Sequence, residues 1–348
     1  MLVPQKQTVW YVTAKGEPSK VLRLDKDVPV PTLTKGEVLV KVQAAALNPV
    51  GYKLMRLLPG FILKRPYIPE YDLAGVIVDT NGSEFQNGDE VFGFLPVPLT
   101  LKTRYGTLAQ YTHLPASHVV RRPINVTPAQ AAGIALAALT AYQGLFDVAH
   151  LEPEQRVFIN GGSTSVGAFA IQLAKAIGCK VTASASGKNE QFVRSLGADE
   201  FIDYTKGPLH VTITENAPSP KYHVIFETVG LMDSALYTNS EAYLAPGGTF
   251  VSTGPQPKGF DVVGIGKIIW KIFLQPSWLG GTKRAWKMVN VTNERKDLEK
   301  VAEFVAEGKV KPLVDSVYAF EDTVKAYDRI MTGRATGKVV IKVDPDVD

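Results

Sequence analysis

The chain has 348 residues, 45% hydrophobic and 21% charged, with 38 Lys and Arg against 34 Asp and Glu for a formal charge of +4. That length accommodates roughly two domains of ordinary size, each with its own core, and the composition excludes fibrous and disordered classes. The charges are spread along the chain with no basic block to grip phosphate backbones, which excludes nucleic acid as an expected partner, and the single cysteine, Cys179, excludes an internal disulfide or a cysteine-rich zinc lobe.

Met1 to Thr13 carries Lys6 and no continuous apolar run, so no secretory signal is expected and a cytoplasmic location is. Alternating Val38, Val40 and Val42 follow the Lys35-Gly36 turn, and Gly75, Gly82, Gly88 and Gly93 punctuate the later runs, predicting a mostly β domain over residues 1–125. Pro123 to Phe146 is uncharged, but Asn125, Pro128, Gln130 and Gln143 interrupt it, so it reads as a buried helix and not a membrane span. Residues 126–272 have the texture of βαβ units on a parallel sheet. Their strand-like runs are Arg156 to Asn160, Lys180 to Ser184, Glu200 to Tyr204, Tyr222 to Glu227 and Thr249 to Thr253. Gly259 to Gly281 mixes Ile268, Ile269, Trp270, Ile272 and Phe273 with Lys267 and Lys271, the pattern of an amphipathic helix at a pocket wall or subunit contact, with a lipid surface as the lesser alternative. Helical periodicity returns over Asn293 to Glu307 and Ala319 to Met331, before a terminal strand at Lys338 to Val343.

The most informative stretch is Arg156 to Gly167. A strand runs into the small-residue turn Gly161, Gly162, Ser163, Thr164, Ser165, Val166 and Gly167, which opens a helix to Ile177. Free amides and the positive dipole end of such a helix hold a pyrophosphate, so the turn is a dinucleotide cradle. Thr164 or Ser165 replaces the middle glycine of the usual fingerprint, and the flanking strand and helix carry the assignment. At the end of the second strand, where an acid would hold the ribose of NAD, stand Ser186, Gly187, Lys188 and Asn189. Ser186 and Asn189 can donate hydrogen bonds to a 2′-phosphate and Lys188 can offer charge, which favours NADPH as the cofactor.

With these residues placed, the chain resembles the medium-chain dehydrogenase/reductase superfamily over essentially its full length, and within it the zinc-independent quinone oxidoreductase branch that includes zeta-crystallin. The resemblance rests on GEVLVKVQAAALNPVGYK (Gly36 to Lys53), IPEYDLAGVIV (Ile68 to Val78), NGDEVFG (Asn87 to Gly93), GTLAQY (Gly106 to Tyr111), ALTAYQGL (Ala138 to Leu145), the cradle, LGADEFIDY (Leu196 to Tyr204), LAPGGTFVSTG (Leu244 to Gly254) and GRATGKVVIKV (Gly333 to Val343). It implies an α/β chain with a GroES-like, mostly β catalytic domain, residues 1–125 completed by 273–348, and a doubly wound Rossmann domain, residues 126–272, with the cofactor in the cleft. It further implies that Thr140, the cradle, Ser186, Lys188, Tyr204, Val229, Gly254 and Lys338 lie near the cofactor, that Asn48 lies beside nicotinamide and substrate, and that the chain pairs as a homodimer. Gly51 stands where many relatives have aspartate.

Zinc-dependent relatives have cysteine where this chain has Asn48 and His-Glu where it has Tyr71-Asp72, and the five histidines show no metal spacing, so no metal is expected. Without a Lewis acid the acceptor must already be electron-poor, a small, largely apolar quinone or α,β-unsaturated carbonyl, with the protein supplying orientation and hydrogen bonds. Tyr52, Tyr67, Tyr71 or solvent could return the proton, and Lys53 could approach the substrate. Two alternatives stand beside this reading. One is an enoyl-thioester reductase, for which Lys283, Arg284 and Lys287 would meet a carrier or coenzyme A; the other is an NADPH-binding sensor with little turnover.

Overall fold

The computed structural model describes residues 3–256, 262–275, 279 and 281–347. Its strands in chain order are β1 (Lys6–Val12), β2 (Leu22–Pro29), β3 (Glu37–Ala46), β4 (Asp72–Asp79), β5 (Glu90–Phe94), β6 (Tyr111–Pro115), β7 (Val119–Arg121), β8 (Arg156–Asn160), β9 (Lys180–Ala185), β10 (Glu200–Asp203), β11 (Tyr222–Glu227), β12 (Leu244–Ser252), β13 (Ala285–Met288), β14 (Val314–Ala319) and β15 (Lys338–Lys342). They divide between two compact units. The first runs to Leu139 and takes in Thr292–Gly308 and the chain from Pro312; the second is Thr140–Val291 with Lys309–Lys311.

In the first unit a seven-stranded sheet runs β14-β15-β3-β4-β5-β7, with β6 also paired to β3, and β1 pairs antiparallel with β2. The alternation read from the sequence is the reason β3 sits centrally. Val38, Val40 and Val42 point into one core with Val9, Ile77, Leu114 and Ile341, while Leu39, facing the other way, joins Val78 and Tyr111. At its far end β3 carries Ala44, Ala45 and Ala46, all buried. Register then sets the site: Ala46 lies opposite Asp72 on β4 and Val340 on β15, so Asn48, Asp72 and Lys338 arrive at one corner.

In the second unit the parallel sheet has the order β10-β9-β8-β11-β12-β13. Counted within the unit this is 3-2-1-4-5-6, and the winding reverses between β8 and β11, the switch point at which doubly wound sheets bind nucleotides. Phe158, Ile225, Tyr243 and Phe250 build its core.

The boundaries differ from the sequence reading of 125/126 and 272/273. The Pro128–Ala132 helix, held at its start by a Thr127–Gln130 capping box, packs on β3 and β4 and keeps the first unit intact to Leu139. Past residue 272, β13 extends the parallel sheet by pairing with β12. That strand is invisible in a basic stretch of sequence because it is an edge strand, where lysines face solvent. Helical residues Val262–Ile269 and Trp270–Leu274 match part of the amphipathic segment: Ile268 is buried, Ile272 packs on the core, and Trp270 and Leu274 are exposed. Residues 259–261, 276–278 and 280 of that segment lie outside the described residues. Among the described residues no helix is long and apolar enough to cross a membrane.

Candidate active site

The cradle in the second unit is built by close approach. Gly161 follows β8 with φ +88°, and a Cβ there would stand 2.6 Å from Val229 Cγ2 and 2.8 Å from Thr228 Oγ1. At Gly167 a Cβ would stand 2.1 Å from the Gly161 carbonyl oxygen, so the Ser165–Ala176 helix can begin against the turn only with glycine at this position. Thr164, at the place of the usual middle glycine, is the helix N-cap: its hydroxyl accepts the Gly167 N–H at 2.9 Å and lies 3.0 Å from that of Thr228. Ser163 to Val166 remain half-buried, Gly162 is buried, and Thr140 is half-buried on the Ala135–Tyr142 helix. Val229 follows β11, its N–H donating to Glu227 Oε1 at 2.7 Å, and Gly254 follows β12, its N–H donating to Ser252 Oγ at 3.0 Å.

At the end of β9, Ser186 turns the chain into Gly187–Asn189, with the Asn189 amide donating to the Ser186 carbonyl at 2.8 Å. Lys188 is exposed and Asn189 half-buried. Tyr204, 52% exposed, follows β10. Between them stands a carboxylate that is absent from the sequence candidates. A Cβ at Gly187 would meet Asp203 Oδ2 at 2.5 Å, and Asp203 accepts from the Thr205 hydroxyl at 2.7 Å and amide at 3.0 Å. The Thr205 hydroxyl, above all, keeps its carboxyl below the usual range, so it is ionised beside the Ser186 turn. Its signal is present in the FIDY run, where it ends the next parallel strand.

The corner of the first unit is a closed polar network. Asn48 is the N-cap of the Pro49–Leu57 helix, yet its side chain does not cap it. Instead Nδ2 donates to Asp72 Oδ2 at 2.9 Å and to the Ala46 carbonyl at 3.2 Å, and Oδ1 accepts from Lys338 Nζ at 2.6 Å. Lys338 also donates to Asp72 Oδ2 at 2.8 Å, and Asp72 Oδ1 accepts the Leu136 N–H at 2.8 Å. Lys338 is 3% exposed and Asn48 5%. Glu70, at 0% exposure, accepts the Asn48 backbone N–H at 3.0 Å and the Tyr327 hydroxyl at 2.6 Å. Burial, outweighing those hydrogen bonds and Lys338, pushes its carboxyl from an ordinary 4.5 to about 7. Neither Glu70 nor Tyr327 figures among the sequence candidates. Glu70 lies inside the IPEYDLAG motif beside a second acid, Asp72, and does not stand out there; nothing in the sequence singles out Tyr327.

Zinc does not fit this corner. Both Asp72 oxygens are taken, the Asn48 carboxamide is spent, and an ammonium already supplies the positive charge there. Among the described residues no three His, Cys, Asp or Glu side chains converge as metal ligands. Of the other catalytic candidates, Tyr71 is 2% exposed with a hydroxyl raised far above its normal range by burial, and burial also raises Tyr67. Tyr52 and Lys53 are half-buried on the Pro49–Leu57 helix, burial raising the phenol and lowering the ammonium.

A GroES-like sheet in one unit and, in the other, a 3-2-1-4-5-6 parallel sheet with a cradle at its switch point define an oxidoreductase of the dinucleotide-binding class. Sequence comparison agrees: residues 34–124 match the alcohol dehydrogenase GroES-like domain family and residues 196–341 the zinc-binding dehydrogenase family. A trans-enoyl reductase of Aspergillus terreus is 35% identical over 98% of this chain and 98% of its own length. The chloroplastic NADPH-dependent alkenal/one oxidoreductase of Arabidopsis thaliana is 33% identical over 97% of this chain and 80% of its own. A quinone oxidoreductase structure from Coxiella burnetii superposes with a TM-score of 0.81 at 26% identity, covering 97% of this chain and 100% of that one. The chain belongs to the medium-chain dehydrogenase/reductase superfamily, whose members are oxidoreductases that bind a nicotinamide cofactor.

Two outcomes follow from this geometry. Gly167→Ala forces a methyl against the Gly161 carbonyl, and we expect it to lower stability by about 1–3 kcal/mol, a fall in Tm of about 2–4 °C per kcal/mol, together with loss of nucleotide binding; an unchanged melting curve would show that the turn is not packed as described. Because the folded chain raises Glu70 above its unfolded value, it holds a proton that the unfolded chain has released. The stability so gained is full below about pH 4.5 and is lost as pH rises to about 7, amounting to about 3 kcal/mol. Urea titrations across that window should show wild type losing this much more than Glu70→Gln, whereas parallel curves would place Glu70 in a solvated setting.

Proposed function

We propose that this chain is an NADPH-dependent reductase that delivers hydride to a small quinone or α,β-unsaturated carbonyl without zinc. The observation that carries the reading is the closure of Asn48 and Asp72 upon Lys338. An ammonium held by two acceptors supplies fixed positive charge but no open coordination position, so an unactivated alcohol or aldehyde lacks its Lewis acid and an electron-poor acceptor does not need one. The named activities of the Arabidopsis and Coxiella relatives support the same acceptor classes.

Bound NADPH would supply the hydride. In the second unit, Gly161 to Gly167 would take the pyrophosphate, Ser186, Lys188 and Asn189 the 2′-phosphate, Tyr204 the adenosine end, and Val229, Gly254 and Thr140 the remainder of the nucleotide. Asp203 opposes the 2′-phosphate from the same side, and its fixed bonds to Thr205 leave Lys188 as the group that decides the balance. In the first unit the Asn48–Lys338 corner would orient the reacting groups and favour negative charge developing on the acceptor oxygen. For the proton that follows, Lys53 is better suited than Tyr67 or Tyr71. Burial makes its ammonium a stronger acid, whereas it makes the phenols weaker ones. Tyr52, half-buried beside it, is the second choice.

An enoyl thioester is the neighbouring acceptor, favoured by the name of the Aspergillus relative. For that reading Arg284 and Lys287 each spend one N–H on the protein, Arg284 Nε donating to the Leu244 carbonyl and Lys287 Nζ to that of Val148, and keep their charge and their other donors. A soluble homodimer in the cytoplasm remains our proposal for its state.

Steady-state NADPH oxidation with 9,10-phenanthrenequinone, a short enone, an aldehyde and an enoyl thioester should give turnover with the first two and little with the aldehyde. Equal failure with all four while NADPH still binds would favour the sensor reading. Lys188→Ala should weaken NADPH about tenfold, as expected for one lost charge-assisted contact, and leave NADH within about twofold; equal losses for both nucleotides would remove Lys188 from phosphate recognition.

A further inference from the structure

Glu70 combines two unfavourable features in one residue. Its backbone has φ +69°, in the region that favours glycine, and its carboxylate is fully buried. The neighbouring loop clamps it there: the Thr107 N–H donates to the Pro69 and Glu70 carbonyls at 3.1 and 3.2 Å, and a Cβ at Gly106 would meet the carbonyls of Ile68, Pro69 and Glu70 at 2.4 to 2.6 Å. So held, the side chain turns onto the start of the Pro49–Leu57 helix. There Gly51 is the third helical residue, and a Cβ on it would stand 2.0 Å from Glu70 Oε1 and 2.8 Å from its Cδ. No side chain can occupy position 51 while Glu70 occupies this space.

In a capping box the third residue of a helix sends its carboxylate back to the backbone N–H of the N-cap residue. Here the N-cap is Asn48, its N–H is accepted by Glu70 Oε2 at 3.0 Å, and the third residue has no side chain. We infer that Glu70 is the positioning residue for Asn48, supplying the carboxylate half of a capping box from outside the helix in the space that Gly51 leaves open. The consequence reaches the reactive corner. The Gly51 N–H donates to the Asn48 carbonyl at 3.0 Å, so the Asn48 side chain is not used as a cap, and with its backbone amide fixed by Glu70 it presents its carboxamide to Lys338 and Asp72. The Tyr327 hydroxyl, donating to the other carboxylate oxygen, ties the Thr323–Met331 helix to the same point.

The catalytic half of this inference rests on the reductase reading above, and the structural half does not. The test compares Glu70→Ala, Glu70→Gln, Gly51→Asp and the exchange variant G51D/E70G, measuring Tm, NADPH affinity and, per folded molecule, kcat with the best acceptor. Glu70→Gln, which can still accept from Asn48 and can donate to Tyr327, should stay within about threefold of wild-type kcat. Glu70→Ala should lose about tenfold to a hundredfold in kcat with NADPH affinity unchanged, as expected when a group at the chemistry is misplaced while the cradle is intact. Gly51→Asp alone should fall in Tm through the clash. G51D/E70G should recover Tm and kcat towards wild type, because it restores a carboxylate to the same space and puts glycine at the positive φ. An exchange variant no more stable than the worse single variant overturns the matched pair, and wild-type kcat in Glu70→Ala overturns the positioning role. If wild type fails to oxidise NADPH with any of the four acceptors, the reductase reading fails by itself, and the Tm of the exchange still decides the pair.

Discussion

The first unit is organised around one buried ammonium. Lys338 and Asp72 form an ion pair with side chains 4% and 0% exposed, and Asn48 bridges them. Such a pair is not an efficient way to stabilise a fold, since desolvating both charges offsets most of their attraction, whereas removing one partner leaves the other uncompensated. What the pair secures is position. Lys338 opens β15, Asp72 opens β4, Asn48 follows β3, and Leu136 brings in the helix that runs from Ala135. Four segments distant in sequence meet at one set of charge-assisted hydrogen bonds, and a shift in the β3–β4 register would separate them.

The second unit reaches its precision by different means. Its turn is shaped by the absence of side chains at Gly161 and Gly167, where a methyl would strike a neighbour within 3 Å. Thr164 adds a cap that a glycine could not supply, tying the helix start to Thr228 and so to β11. One of the free amides at the helix start, that of Gly167, is used in return. Glu227, buried at the end of β11, organises the next loop by accepting the amides of Val229 and Gly230 and the hydroxyl of Ser252. Glycines set the near approach and a buried acid sets the loop, so the ends of β8, β11 and β12 are rigidly related.

Much of this is legible in the sequence because it is local. The strand-turn-helix of the cradle, the alternation in β3 and the βαβ rhythm are carried by neighbours within a few residues, and periodicity reports them directly. The sheet edge at β13 is not legible, because an edge strand with Lys287 and Arg284 has the composition of a solvated loop. Glu70 lies within a motif without standing out, since its meaning depends on Gly51 and Tyr327, which stand far from it in sequence and beside it in space. Asp203 escapes notice for the same reason, its relation to Gly187 arising only when β9 and β10 lie side by side. Asn48 stands out in the sequence, but its surroundings do not. Sequence shows a missing metal ligand, and the fold shows an ammonium in hydrogen-bond contact with that residue.

That difference bears on the chemistry more than the missing ligand does. A metal ion with an open position polarises whichever carbonyl enters its coordination shell. An ammonium shared between a carboxamide and a carboxylate has two of its three N–H bonds committed, carries a single charge and is partly neutralised by Asp72. Glu70 adds a second carboxyl, which burial keeps from ionising fully near neutrality, so the corner remains close to electrically balanced. A balanced corner can orient a group and favour a modest build-up of negative charge, less than a metal ion with an open position would. On the proposed reductase reading the demand moves to the acceptor, which would bring its own conjugation.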